Sequence, residues 1–164
     1  MLMVGDGAVM DDLRVQIEQL DLQQVAILTG RVPHEEVEAH YSLIDVAPFP
    51  RKPWEVCELV SPLKPFEAMA MCKPVVVSST RALLEIVQDG VNGLVFEKGR
   101  IDSLADALER LLVDADLREE LGKRSRSWVE ENRSWRRAGL DVAGAYELVM
   151  HTTMNIAKDG GARE

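Results

Sequence analysis

The sequence predicts an α/β fold: a Rossmann-like, doubly wound parallel sheet with helices on both faces and a helical C-terminal end. Three observations carry this prediction. Short apolar runs alternate with segments of helical spacing from Met1 to Phe96. One run, "PVVVSS" from Pro74, is apolar without the alternation of a half-exposed strand, as expected where helices cover both faces of a parallel sheet. From Ile101 the pattern is helical almost to the end.

The elements follow in order. "MLMVG" is a short apolar strand, and a helix from Asp11 to Leu20 places Leu13, Ile17 and Leu20 at helical spacing. "VAILTG" is a strand closed by Gly30. "PHEEVEAHYSLI" is a short helix, with Pro33 near its start and acidic residues in its first turn. "DVAPFP" is a strand ending in prolines, followed by a loop through Trp54, Cys57 and Glu58. A helix within "ELVSPLKPFEAMAM" leads into "PVVVSS"; then come the helix "RALLEIVQ", the turn "DGVNG" and the strand "LVF". The last helices are "DSLADALERLL", "ADLREELGKRSRSWVEEN" and "SWRRAGLDVAGAYELVM", with Ser134 as N-cap of the third. Residues 1–157 read as one domain, and "KDGGARE", residues 158–164, as a disordered tail.

Composition narrows the function. Nineteen Lys and Arg against 28 Asp and Glu give a net charge of −9, so no basic stripe is available and nucleic acid is excluded as a partner. The two cysteines, Cys57 and Cys72, form no CxxC, and no apolar run reaches membrane-spanning length. The expectation is a cytoplasmic protein, peripheral at most to the inner membrane face. His34 and His40 are six apart, which is not the spacing of four that an HExxH zinc helix needs, and no metal is expected. "GDGAVM" lacks the third glycine of a dinucleotide fingerprint and reads as a tight turn. Trp128, Trp135 and Tyr146 read as packing groups, and "KRSRSW" as a solvated helix end.

One stretch resists a purely structural reading. "SPLKPFEAMAM" offers two helix starts, Ser61 as a cap with Pro62 first, or Pro65 itself. Either start leaves Lys64 at the helix mouth, where a cation is disfavoured by roughly 0.3–1 kcal/mol. The conflict disappears if a bound anion sits between the lysine and the free N–H groups. The other reading is a solvated lysine that pairs with Glu67 one turn on. Phe66, Met69 and Ala70 form the expected buried stripe, leaving Glu67 on another face, where it can accept hydrogen bonds from a ribose diol or face water.

"ELVSPLKPFEAMAMCKPVVVSS", "EIVQDGVNGLVF" and "GRIDSLADALERLL" together resemble the C-terminal half of the retaining family-four glycosyltransferases. These are the group 1 glycosyltransferases, with the two-domain GT-B fold. "MVGDG", "LTGRVPHEEVEAHYSLIDVAPFP" and "NRSW" follow the same family in order, so the resemblance covers nearly the whole chain. It implies a domain that holds a nucleoside-diphosphate sugar. Glu67 would bind the donor ribose; Ser61, Pro62, Leu63 and Lys64 would meet the diphosphate and sugar; Arg31, Val32 and Pro33 would pack against the base. Lys64 and Glu58 would be the catalytic candidates, and the donor is a substrate that needs no cofactor.

The departures matter as much. The family's two-glutamate signature puts its earlier carboxylate where Leu59 stands here, so Glu58, one residue further away, is the candidate for the sugar hydroxyls. Cys72 replaces a common glycine after the helix, which reads as a different helix ending, and Arg81-Ala82 replaces paired glycines. The resemblance further implies an Arg and a Lys upstream of "VGDG" and an N-terminal domain for the saccharide or lipid-linked acceptor. The expectation is therefore the donor half of a sugar transferase, inactive alone, whose last helix leaves an apolar face for self-association. The alternative is a non-catalytic nucleotide-sugar-binding module working in trans with a separate N-terminal half.

Overall fold

The computed structural model describes residues 1–160. Strand β1 (Leu2–Val4), helix α1 (Met10–Gln19) and strand β2 (Ile27–Gly30) come first; a 3-10 turn (His34–Glu36) then leads into α2 (Val37–Ser42) and β3 (Ala47–Phe49). Helices α3 (Glu55–Leu59) and α4 (Lys64–Ala70), strand β4 (Val75–Ser78), α5 (Arg81–Leu84) and β5 (Leu94–Phe96) follow. Helices α6 (Ile101–Val113), α7 (Ala115–Asn132) and α8 (Trp135–Gly160) complete the chain. All strand pairs are parallel, as the sequence predicts, but the strands form two sheets, β1-β2 and β3-β4-β5.

The core lies around β4. Ala47 pairs with Val75, and Val76 pairs with Leu94, so β4 is the central strand of its sheet. All four of its residues are 0% exposed. Because strand side chains alternate, Val75 and Val77 face Ala68 and Met69 of α4 and Leu83 of α5. Val76 faces the opposite way, into Leu94, Phe96, Ala107, Leu111 and Leu121. Each buried valine contributes about 1.5–3 kcal/mol of burial free energy, and the two faces make this sheet doubly wound. The β1–α1–β2 unit is thinner: α1 buries no residue, Ala26 is its buried apolar side chain, and Val15, Val25 and Ile27 are exposed.

Several local expectations are corrected. The loop after β3 contains a helix, α3, so Glu58 is helical. Helix α4 starts at neither expected point: Leu63 is its N-cap and Pro65 sits in the first turn, where a missing N–H costs nothing. Its buried stripe is Pro65, Ala68 and Met69, spaced i, i+3, i+4, while Phe66 and Ala70 are half-buried. Helix α7 is capped by Asp114, whose carboxylate accepts from the Leu117 N–H, and Ser134 caps α8 by accepting from the Arg137 N–H. "KRSRSW" lies within α7 rather than at an end. Lys123, Arg124 and Arg126 pair with Glu119, Glu120 and Glu130, and Ser125 is buried.

Trp128 packs on the core with the Arg133 guanidinium 5.7 Å from its ring, but Trp135 and Tyr146 are exposed. The expected tail begins inside α8, and residues 161–164 lie outside the described residues.

The ending of α4 is the left-handed one after all. Cys72 takes φ 55, its N–H donates to the Met69 carbonyl, and the Lys73 N–H reaches back to Ala68, the pattern of a Schellman cap. A side chain in that conformation costs roughly 1–2 kcal/mol that glycine escapes. Cys72→Gly is therefore expected to raise the thermal midpoint by a few degrees, about 1 kcal/mol, measured by calorimetry; an unchanged or lower midpoint would show no strain at Cys72.

Candidate functional site

The loops after β3, β4 and β5 are tied together at the carboxyl ends of their strands. The Arg51 N–H donates to Ser78 Oγ at 3.1 Å, and the Lys98 N–H donates to Ser79 Oγ at 3.1 Å. The Arg51 guanidinium also donates to the Val60 carbonyl at 2.6 Å, which fixes the segment entering Ser61. Carboxyl ends of parallel strands are where open α/β sheets bind ligands.

Two side-chain clusters are attached to this frame. In the first, Glu58 of α3 accepts from Lys98 Nζ at 2.5 Å through one oxygen and from the Arg81 N–H at 2.8 Å through the other. The Lys98 ammonium and then the Arg81 N–H hold the Glu58 carboxyl below the usual carboxylate range. Glu58 is thus committed to α5 and to the loop after β5, not slack in a loop. Each oxygen keeps a second lone pair for a ligand hydroxyl.

In the second cluster, the hydroxyl of Tyr41 on α2 donates to Glu67 Oε2 at 3.1 Å and lies 3.3 Å from the Lys64 carbonyl. Burial, then the charge of Glu67, pushes the Tyr41 phenol well above its usual range. Glu67 and Lys64 are exposed one turn apart, yet among the described residues neither forms an ion pair, so the pairing reading fails. The Lys64 ammonium is left facing solvent at the start of α4.

The remaining candidates are exposed or half-buried surface positions. Ser61 and Leu63 are exposed and Pro62 half-buried in the segment before α4; Arg31 and Pro33 are exposed and Val32 half-buried directly after β2. No hydrogen bond among the described residues joins Arg31, Val32 or Pro33 to either cluster. Sequence reasoning missed Tyr41 and Lys98. Tyr41 meets Glu67 across 26 residues and Lys98 meets Glu58 across 40, so no local pattern announces either. Among the described residues no group of three or more His, Cys, Asp or Glu is placed to hold a metal, and no helix is long and apolar enough to cross a membrane.

A parallel α/β domain with carboxylates and cations gathered after its strands is of the Rossmann-like, ligand-binding class. Known proteins make the assignment sharper: the model of the glycosyl transferases group 1 matches residues 1–128, and the chain belongs to that family. It is 29% identical over 148 residues to the alpha-D-kanosaminyltransferase of Streptomyces kanamyceticus, an overlap of 90% of this chain and 37% of that protein. It is 31% identical over 142 residues to the sulfoquinovosyl transferase of Arabidopsis thaliana, covering 85% of this chain and 26% of the relative.

Among solved structures, the sucrose-phosphate synthase of Thermosynechococcus elongatus superposes with a TM-score of 0.78 at 25% identity, covering 92% of this chain and 38% of that one. Anabaena HepE in complex with UDP-glucose has the same fold, with a TM-score of 0.78 at 20% identity over 89% of this chain and 40% of that one. The fold is the C-terminal, Rossmann-like half of the GT-B glycosyltransferases. This chain spans about 37% of the length of the kanosaminyltransferase.

Proposed function

We propose that the chain is the donor-holding half of a retaining glycosyltransferase. It takes a nucleoside-diphosphate sugar of the UDP, GDP or ADP type, and the whole enzyme passes a hexose-type sugar to a saccharide or lipid-linked acceptor at the inner membrane face. The observation that carries this reading is the exposed carboxylate and exposed ammonium one turn apart on α4, not paired with each other, in a chain of the group 1 family: Glu67 for the ribose diol, Lys64 for the diphosphate. HepE, whose structure was solved with UDP-glucose, shares the fold and supports the ligand class.

The chemistry asked of each residue is simple. As the glycosidic bond breaks, negative charge grows on the leaving diphosphate, and a cation beside it stabilises that charge. Lys64 supplies such a cation. Ser61, Pro62 and Leu63 shape the approach to it, Arg31, Val32 and Pro33 form a wall for the base, and Glu58 offers its remaining lone pairs to sugar hydroxyls. Acceptor binding and the rest of the charge stabilisation fall to the portion of the enzyme that the relatives have beyond this chain's span. The isolated chain is therefore expected to bind donor with little or no turnover, and ordinary transfer rates from the purified chain would contradict this.

Titration calorimetry with UDP, GDP, ADP and their nucleosides tests the site. Lys64→Ala is expected to weaken the matching diphosphate about tenfold, the worth of one charge-assisted contact, and the nucleoside hardly at all. Equal losses for both ligands would remove Lys64 from the diphosphate. The exposed apolar residues of α8, among them Trp135, Leu140 and Tyr146, support self-association through that helix. Sedimentation as a single 18.3 kDa species at high concentration would contradict it.

A further inference from the structure

We infer that Tyr41 is a positioning residue for ribose recognition: it holds Glu67 through one carboxylate oxygen and leaves the other aimed at the diol of a bound nucleotide. The inference rests on the donor-site reading above and extends it to a residue on a different element. Tyr41 belongs to α2, whereas Glu67 and Lys64 belong to α4, so the contact crosses between two helices separated in sequence by β3 and α3.

The geometry divides the carboxylate between two tasks. Glu67 Oε2 accepts from the Tyr41 hydroxyl at 3.1 Å, and Oε1 accepts from nothing among the described residues. An exposed glutamate on a helix otherwise samples several rotamers and loses that freedom when a ligand binds. One anchored oxygen restricts those rotamers beforehand, so a diol meets a carboxylate already in place. The anchor is itself held. The Tyr41 ring packs against the core cluster that contains Ala47, Met69 and Val77, and its hydroxyl also reaches the Lys64 carbonyl at 3.3 Å. The hydroxyl has one proton, and the nearer and charged acceptor is Glu67 Oε2 rather than the Lys64 carbonyl, while the raised phenol pKa keeps that proton in place.

The discriminating quantity is the preference for a ribonucleotide over its deoxyribo counterpart, because only contacts to the sugar diol move it. UDP, GDP and ADP are titrated into the chain alongside the corresponding deoxynucleoside diphosphates. Wild type is expected to prefer the ribo form of its best ligand about tenfold, the worth of one hydrogen bond to a charged group. Tyr41→Phe removes one hydroxyl and keeps the packed ring; it should cut that preference to about threefold or less while leaving the thermal midpoint near wild type. In a Glu67→Ala background the same change should leave the preference unaltered, since no carboxylate remains to be positioned.

A Tyr41→Phe chain that keeps the full preference overturns the inference, as does an equal drop in the Glu67→Ala background. Wild type that binds nucleotides without any ribo preference overturns it too. Wild type that binds none of the three nucleotides contradicts instead the donor-site reading on which the inference stands. Should the phenylalanine chain lose its fold, Tyr41→Met gives the same measurement without a hydroxyl.

Discussion

Glu67→Ala is expected to lower the affinity for the preferred nucleoside diphosphate roughly thirty- to hundredfold, and to lower nucleoside affinity by the same factor. A carboxylate accepting from ribose hydroxyls makes hydrogen bonds worth about 1.5–3 kcal/mol, and its truncation leaves those hydroxyls with water as their only partner. The loss is shared by nucleoside and diphosphate because the ribose is common to both. This separates Glu67 from Lys64, whose truncation should spare the nucleoside. The fold should not suffer, since the Glu67 side chain is exposed and its partner, Tyr41, keeps the Lys64 carbonyl as an acceptor for its hydroxyl. Isothermal titration of the two ligands on the variant measures both losses. A loss confined to the diphosphate would move Glu67 away from the ribose.

Gly122→Ala carries the largest expected cost to stability. A β-carbon at Gly122 in α7 would lie 2.2 Å from the Cys72 carbonyl oxygen and 3.1 Å from its carbonyl carbon. The obstacle is backbone, held by the Schellman turn that ends α4 and by Pro74 at the entrance to β4. Nothing there can rotate aside, so α7 must separate from the α4–β4 turn, and Leu121 and Ser125, both fully buried, must move with it. Forced overpacking of this kind costs about 3 kcal/mol, which in a chain of this size lowers the thermal midpoint by about 6–12 °C. Differential scanning calorimetry reads the shift. A midpoint within a degree or two of wild type would show that the helix and the turn do not meet this closely.

The central sheet was the most legible part of the sequence. Three successive valines without alternation specify a strand buried on both faces, and each of them is buried here. The α6 and α7 helices were legible for the same reason, because their apolar spacing matches the face that packs on Val76 and Leu94. Helix α3 was not legible: its five residues are too few to display a period, and Pro50 and Pro53 mark the region as loop. Its presence changes the reading of Glu58, which becomes a tie between α5 and the loop after β5.

Cys72 was misread because the sequence showed a missing glycine, whereas packing against α7 imposes the left-handed turn on whatever residue stands there. Trp135 and Tyr146, read as packing groups, are exposed here, because aromatic residues on a late helix look alike in a linear pattern whether they pack or face solvent. At the candidate site the sequence pointed to Lys64 and Glu67 through an electrostatic oddity and a resemblance. It could not point to Tyr41 or Lys98, whose roles exist only through contacts between distant elements.

Where a nucleotide binds on the chain decides whether Lys64 and Glu67 form a donor site, and amide NMR shift mapping measures that most directly. On addition of UDP, GDP or ADP to the chain, the predicted result is a cluster of shifted amides at Arg31, Tyr41, Ser61, Lys64 and Glu67, extending to Arg81 and Lys98 when a sugar diphosphate replaces the nucleotide. Shifts gathered elsewhere, such as along Arg14 and Ile17 of α1, or no shifts with any of the three nucleotides, would contradict it.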